Sequence, residues 1–137
     1  MNRGYKNYLT REKNDKLKRE RYVFLHSDTR KVADVFPDIE RIEITYIQTH
    51  KAAIEIKPKE NSIVFTPQSE DVFIIECLND ECTFGWYYDL RNDIYNMRRN
   101  HLTEYCGEKN CQGQEAPDHP EQSCGGSLRY TINIVYK

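Results

Sequence analysis

After residue 38 the chain alternates apolar and polar residues over several short stretches. Ile42, Ile44 and Tyr46 share one face of a predicted strand, Ile54 and Ile56 share a face of a second, and Ile63 and Phe65 do so in a third bounded by Asn61-Ser62 and Pro67. Short polar gaps such as Lys57-Pro-Lys-Glu-Asn61 predict hairpins, hence antiparallel neighbours. The segment Asp71-Val-Phe-Ile-Ile-Glu-Cys77 is apolar on both faces, as a central strand would be. At the end of the chain Leu128, Tyr130, Ile132, Ile134 and Tyr136 alternate with Arg129, Thr131, Asn133 and Val135, which predicts a strand with one buried and one mostly wet face. Helical spacing is clearest over 89–100, where Leu90, Ile94 and Met97 recur behind an Asp89 cap and ahead of Arg98 and Arg99 in the last turn. A shorter helix through Val32 and Val35 would start at Ser27 or Asp28 and end before Pro37. Together these elements predict an α+β fold: an antiparallel β-sheet of about five or six strands with one main helix.

The first residues read differently. Residues 1–21 carry eight basic side chains against three acidic ones, a net of +5, while residues 22–137 carry 12 against 19, a net of −7. The overall balance of −2 hides this split. Tyr5, Tyr8, Leu9 and Leu17 do not complete a helical stripe, so residues 1–21 read as a basic leader, solvated or a frayed helix after Thr10, and residues 22–137 as a single α+β domain. Charged residues make up 31% and hydrophobic ones 38%, which is lean for a core; ten tyrosines and five phenylalanines nevertheless argue against disorder. No run approaches the roughly 18 apolar residues of a membrane span, so no membrane role is expected. The opening stretch lacks an apolar segment behind its basic residues, so no export signal is read and a cytoplasmic, reducing setting is the expectation. There, paired cysteines hold a metal more often than a disulfide.

Five cysteines supply the candidate chemistry. Cys77 and Cys82, and Cys106 and Cys111, are both C-x4-C pairs, and Cys124 follows in Ser-Cys-Gly-Gly. Zinc takes four such ligands in a tetrahedron, and sequence-local pairs close it at small entropic cost. Two sets are open: Cys77, Cys82, Cys106 and Cys111, or Cys77, Cys82, Cys111 and Cys124. The second is preferred, because Cys77 ends one predicted strand and Cys124 precedes another, so a metal would clamp the polar 112–123 loop, whose ordering entropy otherwise lacks compensation. Cys106 is then a spare thiol, with His101 and His119 as substitute ligands. Glycines at Gly85, Gly107, Gly113, Gly125 and Gly126 suit tight bends with positive φ around a metal. Four thiolates would leave no open position for water, so the role expected of Zn2+ is structural.

The two cysteine-bearing knuckles, Cys82-Thr-Phe-Gly85 and Cys124-Gly-Gly126, with Cys111 and short antiparallel strands, resemble the zinc ribbons over residues 71–137. The resemblance implies a structural zinc and a non-enzymatic role in binding protein or nucleic acid. The chain departs from the usual C-x2-C knuckles and carries the 89–100 helix between its pairs.

Three functions compete. A protein-interaction module, adaptor or inhibitor, would use the acidic residues around the cysteines: Asp80, Glu81, Glu104, Glu108, Glu115, Asp118 and Glu121. A nucleic-acid binder would use the basic leader, Arg91, Arg98 and Arg99, with Trp86-Tyr87-Tyr88 stacking on bases. A divalent-metal nuclease of the PD-(D/E)-x-K type would use Asp38, Glu55 and Lys57. Because the body is acidic, binding to another protein ranks first and catalysis is not expected. The acidic neighbours of Cys106 also argue against a cysteine nucleophile.

Overall fold

A computed structural model describes residues 3–50, 57–79, 82, 85–116 and 119–137. In chain order its elements are α1 (Arg3–His26), α2 (Val32–Val35), β1 (Ile39–His50), β2 (Lys59–Phe65), β3 (Ile74–Glu76), β4 (Tyr87–Asp89), α3 (Arg91–Arg99), β5 (Glu104–Asn110), β6 (Gln114–Ala116), β7 (His119–Ser123) and β8 (Gly126–Tyr136). The α+β architecture expected from the sequence pattern is the one observed.

The longest alternating stretches become the two longest strands, and they pair with each other. β1 and β8 run antiparallel from Ile39 opposite Tyr136 to His50 opposite Gly126. β2 and β5 flank them, giving a four-stranded antiparallel sheet in the order β2-β1-β8-β5. Period-two alternation puts Ile42 and Ile44 of β1 and Leu128, Tyr130, Ile132 and Ile134 of β8 on the buried face, while Thr45, Arg129 and Val135 look outward. The predicted Ile54/Ile56 strand lies outside the described residues.

Against the buried face pack α3, through Leu90, Ile94 and Met97, and the β3–β4 ribbon, through Phe73, Ile75 and Tyr88. Tyr130 reaches across to Asp93 of α3, its hydroxyl donating to the carboxylate at 2.8 Å. Arg98 pairs with Asp38 at 2.9 Å and lies over the Phe36 ring. The predicted 89–100 helix thus forms at 91–99; Asp89 stands just before its Leu90 cap, accepting the Arg91 N–H at 3.0 Å.

Three local expectations change. Residues 71–77 do not make a central strand: Ile74–Glu76 pairs only with β4, in a separate two-stranded ribbon. Its apolarity on both faces has another cause, since one side meets the core and α1 crosses the other, with Lys18 paired to Glu76 and Tyr22 beside Tyr87. Ser27 closes α1 instead of opening α2, its hydroxyl donating to the Phe24 carbonyl, and α2 starts after Lys31 without a side-chain cap. The polar 112–123 segment is no loop, because β6 and β7 pair within it.

The core pivots on Phe73, which is 1% exposed and meets Phe36 and Phe65 at ring-centroid distances of 6.4 and 4.9 Å. Phe73→Ala is expected to destabilise the protein by about 3–5 kcal/mol, read as a lowered urea midpoint at unchanged m-value.

Candidate metal centre

Two hairpins deliver the cysteines. Cys77 directly follows β3, and its N–H donates to the Trp86 carbonyl at 2.7 Å, which continues the β3–β4 ribbon by one rung and places Cys82 in the turn beyond. The second hairpin is longer than its strand labels suggest. Asn110 pairs with Ser127 and Gln114 with Ser123, and the rungs between are kept by Cys111 N–H to the Gly126 carbonyl and Cys124 N–H to the Gly113 carbonyl, both 2.8 Å. β5, β6, β7 and β8 therefore form one ribbon whose register passes unbroken through both cysteines. Cys111 and Cys124 sit diagonally across it on the same face, the cross-strand relation that lets side chains meet.

Where the hairpins touch, the four sulfurs of Cys77, Cys82, Cys111 and Cys124 lie within 4.8 Å of one another. Cys77 Sγ is 3.6 Å from Cys124 Sγ, and Cys82 Sγ is 3.4 Å from Cys111 Sγ. A tetrahedron with metal–sulfur bonds of about 2.3 Å has edges of about 3.8 Å, so the spacing fits one metal ion. The same separations are well beyond a disulfide bond of about 2.05 Å. Gly85 makes the approach possible: a Cβ there would stand 2.5 Å from Cys111 Sγ and 2.7 Å from the Gly113 nitrogen.

Hydrogen-bond donors surround the sulfurs. The Trp86 N–H donates to Cys82 Sγ at 3.2 Å, and the buried Asn79 amide donates to Cys124 Sγ at 3.5 Å. The main-chain amides of Asn79 and Gly113 act in the same sense, favouring the charged forms of Cys77 and Cys111. Acidities across the cluster are interlocked. Hydrogen bonding with Cys111 holds the Cys82 thiol down to about 7 and leads the lowering at Cys124. Bonding with Cys111 pushes the Cys77 thiol up, and bonding with Cys124 pushes the Cys111 thiol up. Four adjacent thiolates need a cation to ionise together.

A latch from the N-terminal helix holds this loop. Asn14, buried on α1, donates through its amide to the Cys82 carbonyl at 3.2 Å and accepts the Trp86 indole N–H at 3.1 Å. Trp86 has φ 62°, in the left-handed region that a bulky residue occupies only at a cost. Its N–H, carbonyl and indole are all engaged, and they fix it there.

The fold brings some of the candidate site residues together and keeps others apart. Cys77, Cys82, Cys111 and Cys124 come together. Cys106 does not: it sits exposed on β5, 3.5 Å from Thr131 Oγ1 and 3.9 Å from Glu104. His101 stacks on Tyr136, away from the sulfurs, and His119 falls in β7. Positive φ among the described glycines occurs only at Gly125; in the first knuckle Trp86 takes that role. Trp86 and Tyr88 are buried, not exposed for base stacking, because α1 and the second hairpin cover them. Arg91 is forked onto Asp89 and Arg98 is paired with Asp38, which leaves Arg99 the exposed member of that cluster. Asp38, besides being neutralised by Arg98, stands at the start of β1, whereas Lys57 precedes β2, which pairs from Lys59 opposite Gln48 at the far end. About 30 Å of strand separates them; Glu55 lies outside the described residues. The sequence reading missed Asn14 and Asn79, two polar side chains whose role shows only once distant segments meet.

No protein-family model, curated protein or solved structure matches the chain. No helix among the described residues is long and apolar enough to cross a membrane. The site itself carries the functional reading.

Two outcomes follow from this geometry. Metal uptake should expel the protons held on the cluster, so affinity falls as pH falls; calorimetry in two buffers of different ionisation enthalpy reads the release. Asn14→Ala should loosen α1 from the first knuckle, seen as faster amide exchange over residues 11–26 while exchange in β1 and β8 is unchanged.

Proposed function

We propose that the chain is a non-enzymatic module in which Cys77, Cys82, Cys111 and Cys124 hold one structural Zn2+, and that it acts by binding another protein. The meeting of those four sulfurs, within 4.8 Å and each with an N–H donor nearby, carries the zinc assignment. Four thiolates suit zinc by softness and complete its tetrahedron, leaving no position for a reacting water. Likeness to a zinc ribbon is supported by the delivery of ligands from two antiparallel hairpins, one bearing Cys77 and Cys82, the other Cys111 and Cys124.

Protein binding is supported by the last turns of α1, where Tyr22, Val23 and Phe24 are 50%, 66% and 64% exposed in succession. Three consecutive large apolar side chains in water are what a contact surface would present. A nucleic-acid role draws support from the exposed Lys13, Lys16, Arg19 and Arg21 on the same helix. It is the weaker reading: Tyr22 is stacked on His26, Arg21 lies over the Phe24 ring, and the body is acidic.

Native mass spectrometry of protein produced with ample zinc should find one zinc per chain. Changing any one of the four clustered cysteines to serine should abolish tight binding, whereas Cys106→Ser should retain it. A strong chelator should lower the melting temperature sharply, since such sites contribute about 10–16 kcal/mol of binding free energy. An unchanged melting temperature in chelator would overturn the assignment.

A further inference from the structure

Tyr88 is 4% exposed, and among the described residues its hydroxyl meets no nitrogen or oxygen partner; the neighbour it does feel is the Cys77 sulfur, which helps to hold its proton in place. A buried hydroxyl left so is costly and calls for an acceptor. What stands beside it is defined by Gly126, the first residue of β8. A Cβ on Gly126 would lie 3.0 Å from Tyr88 Oη and 3.1 Å from Cys77 Sγ. Hydroxyl and sulfur therefore both border the space that the missing Gly126 side chain leaves open, within reach of one another. Bound to a metal, the same sulfur is a thiolate with free lone pairs.

We propose that Tyr88 is a positioning residue of the metal centre: its hydroxyl donates to the Cys77 thiolate when the metal is bound, and Gly126 keeps the space open for that bond. The inference rests on the four-thiolate reading above. Outer donors of this kind fix a ligand's orientation and drain charge from it, and their removal lowers metal affinity by about 10–100-fold. Tyr88 would complete the set begun by Trp86, Asn79 and Gly113, adding the one donor that comes from a side chain of β4. Its ring meanwhile belongs to the hydrophobic core. Tyr88→Phe keeps that ring and removes only the donor.

The test is competition for Zn2+ against a chromophoric chelator, with the Co2+ form giving the thiolate-to-metal charge-transfer band. The wild-type chain should take up one ion, and Tyr88→Phe should bind it at least about ten-fold more weakly with a displaced band. Equal affinity and an identical band in Tyr88→Phe would overturn the proposal while leaving the metal centre intact. If the wild-type chain binds neither ion, the four-thiolate reading itself fails and the proposal with it. Should Tyr88→Phe not fold, the wild-type Zn2+ form serves instead: a slowly exchanging Tyr88 hydroxyl proton seen by NMR supports the bond, and a hydroxyl proton that exchanges at the solvent rate overturns it.

Discussion

Everything else in this protein is arranged around the close approach of four sulfur atoms. A two-stranded ribbon of three-residue strands has little stability of its own, and the β5–β8 hairpin is polar beyond residue 110. These two pieces meet where the cysteines meet. Gly85 is small so that one knuckle can sit on the other; Trp86 takes a strained φ so that its N–H points at sulfur; Asn79 is buried so that its amide does the same. Each of these residues gives up something locally, and each concession is intelligible only from the sulfur cluster.

Much of the sheet was legible in advance because its signal is repetitive. Ile42, Ile44, Leu128, Ile132 and Ile134 announce a face by period two, and α3 announces itself by Leu90, Ile94 and Met97. The four clustered cysteines were also the preferred set, on the argument that Cys77 and Cys124 flank strands. What stayed hidden was polar. α1 docks through Asn14 and Lys18 with only Leu17 and Leu25 as apolar support, too few to show as a stripe, so residues 1–21 read as a solvated or frayed leader; β6 and β7 extend a hairpin by main-chain register alone, so they read as a loop. The two-sided apolarity of 71–77 misled for the opposite reason: a helix from far away in sequence covers the second face. Periodicity reports what a segment needs to bury, and it is silent on what arrives to bury it.

The charges tell a similar story. Some of the residues that looked like free cations in the sequence are paired in the fold: Arg98 with Asp38, Arg91 with Asp89, Lys18 with Glu76. At Asp89, burial works to raise the carboxyl, but the Arg91 fork outweighs it and holds the group below its ordinary range, so the pair persists at neutral pH and weakens only in acid. α1 keeps Lys13, Lys16, Arg19 and Arg21 exposed, along the same helix whose end carries Tyr22, Val23 and Phe24.

The Asn14 latch also has a bearing on how the chain comes to be folded. Its partners, Cys82 and Trp86, lie 68 and 72 residues further along, so at synthesis rates of about 5–20 residues per second α1 leaves the ribosome several seconds before its dock exists. Cys124, the last sulfur, appears later still. α1 is thus made before the segment that seats it, and throughout that interval its inward side chains, Leu17 and Leu25 among them, are uncovered. The seat of α1 is therefore made of residues that reach it only when the first knuckle has closed, so the docking of this helix and the closing of that knuckle belong to one late event.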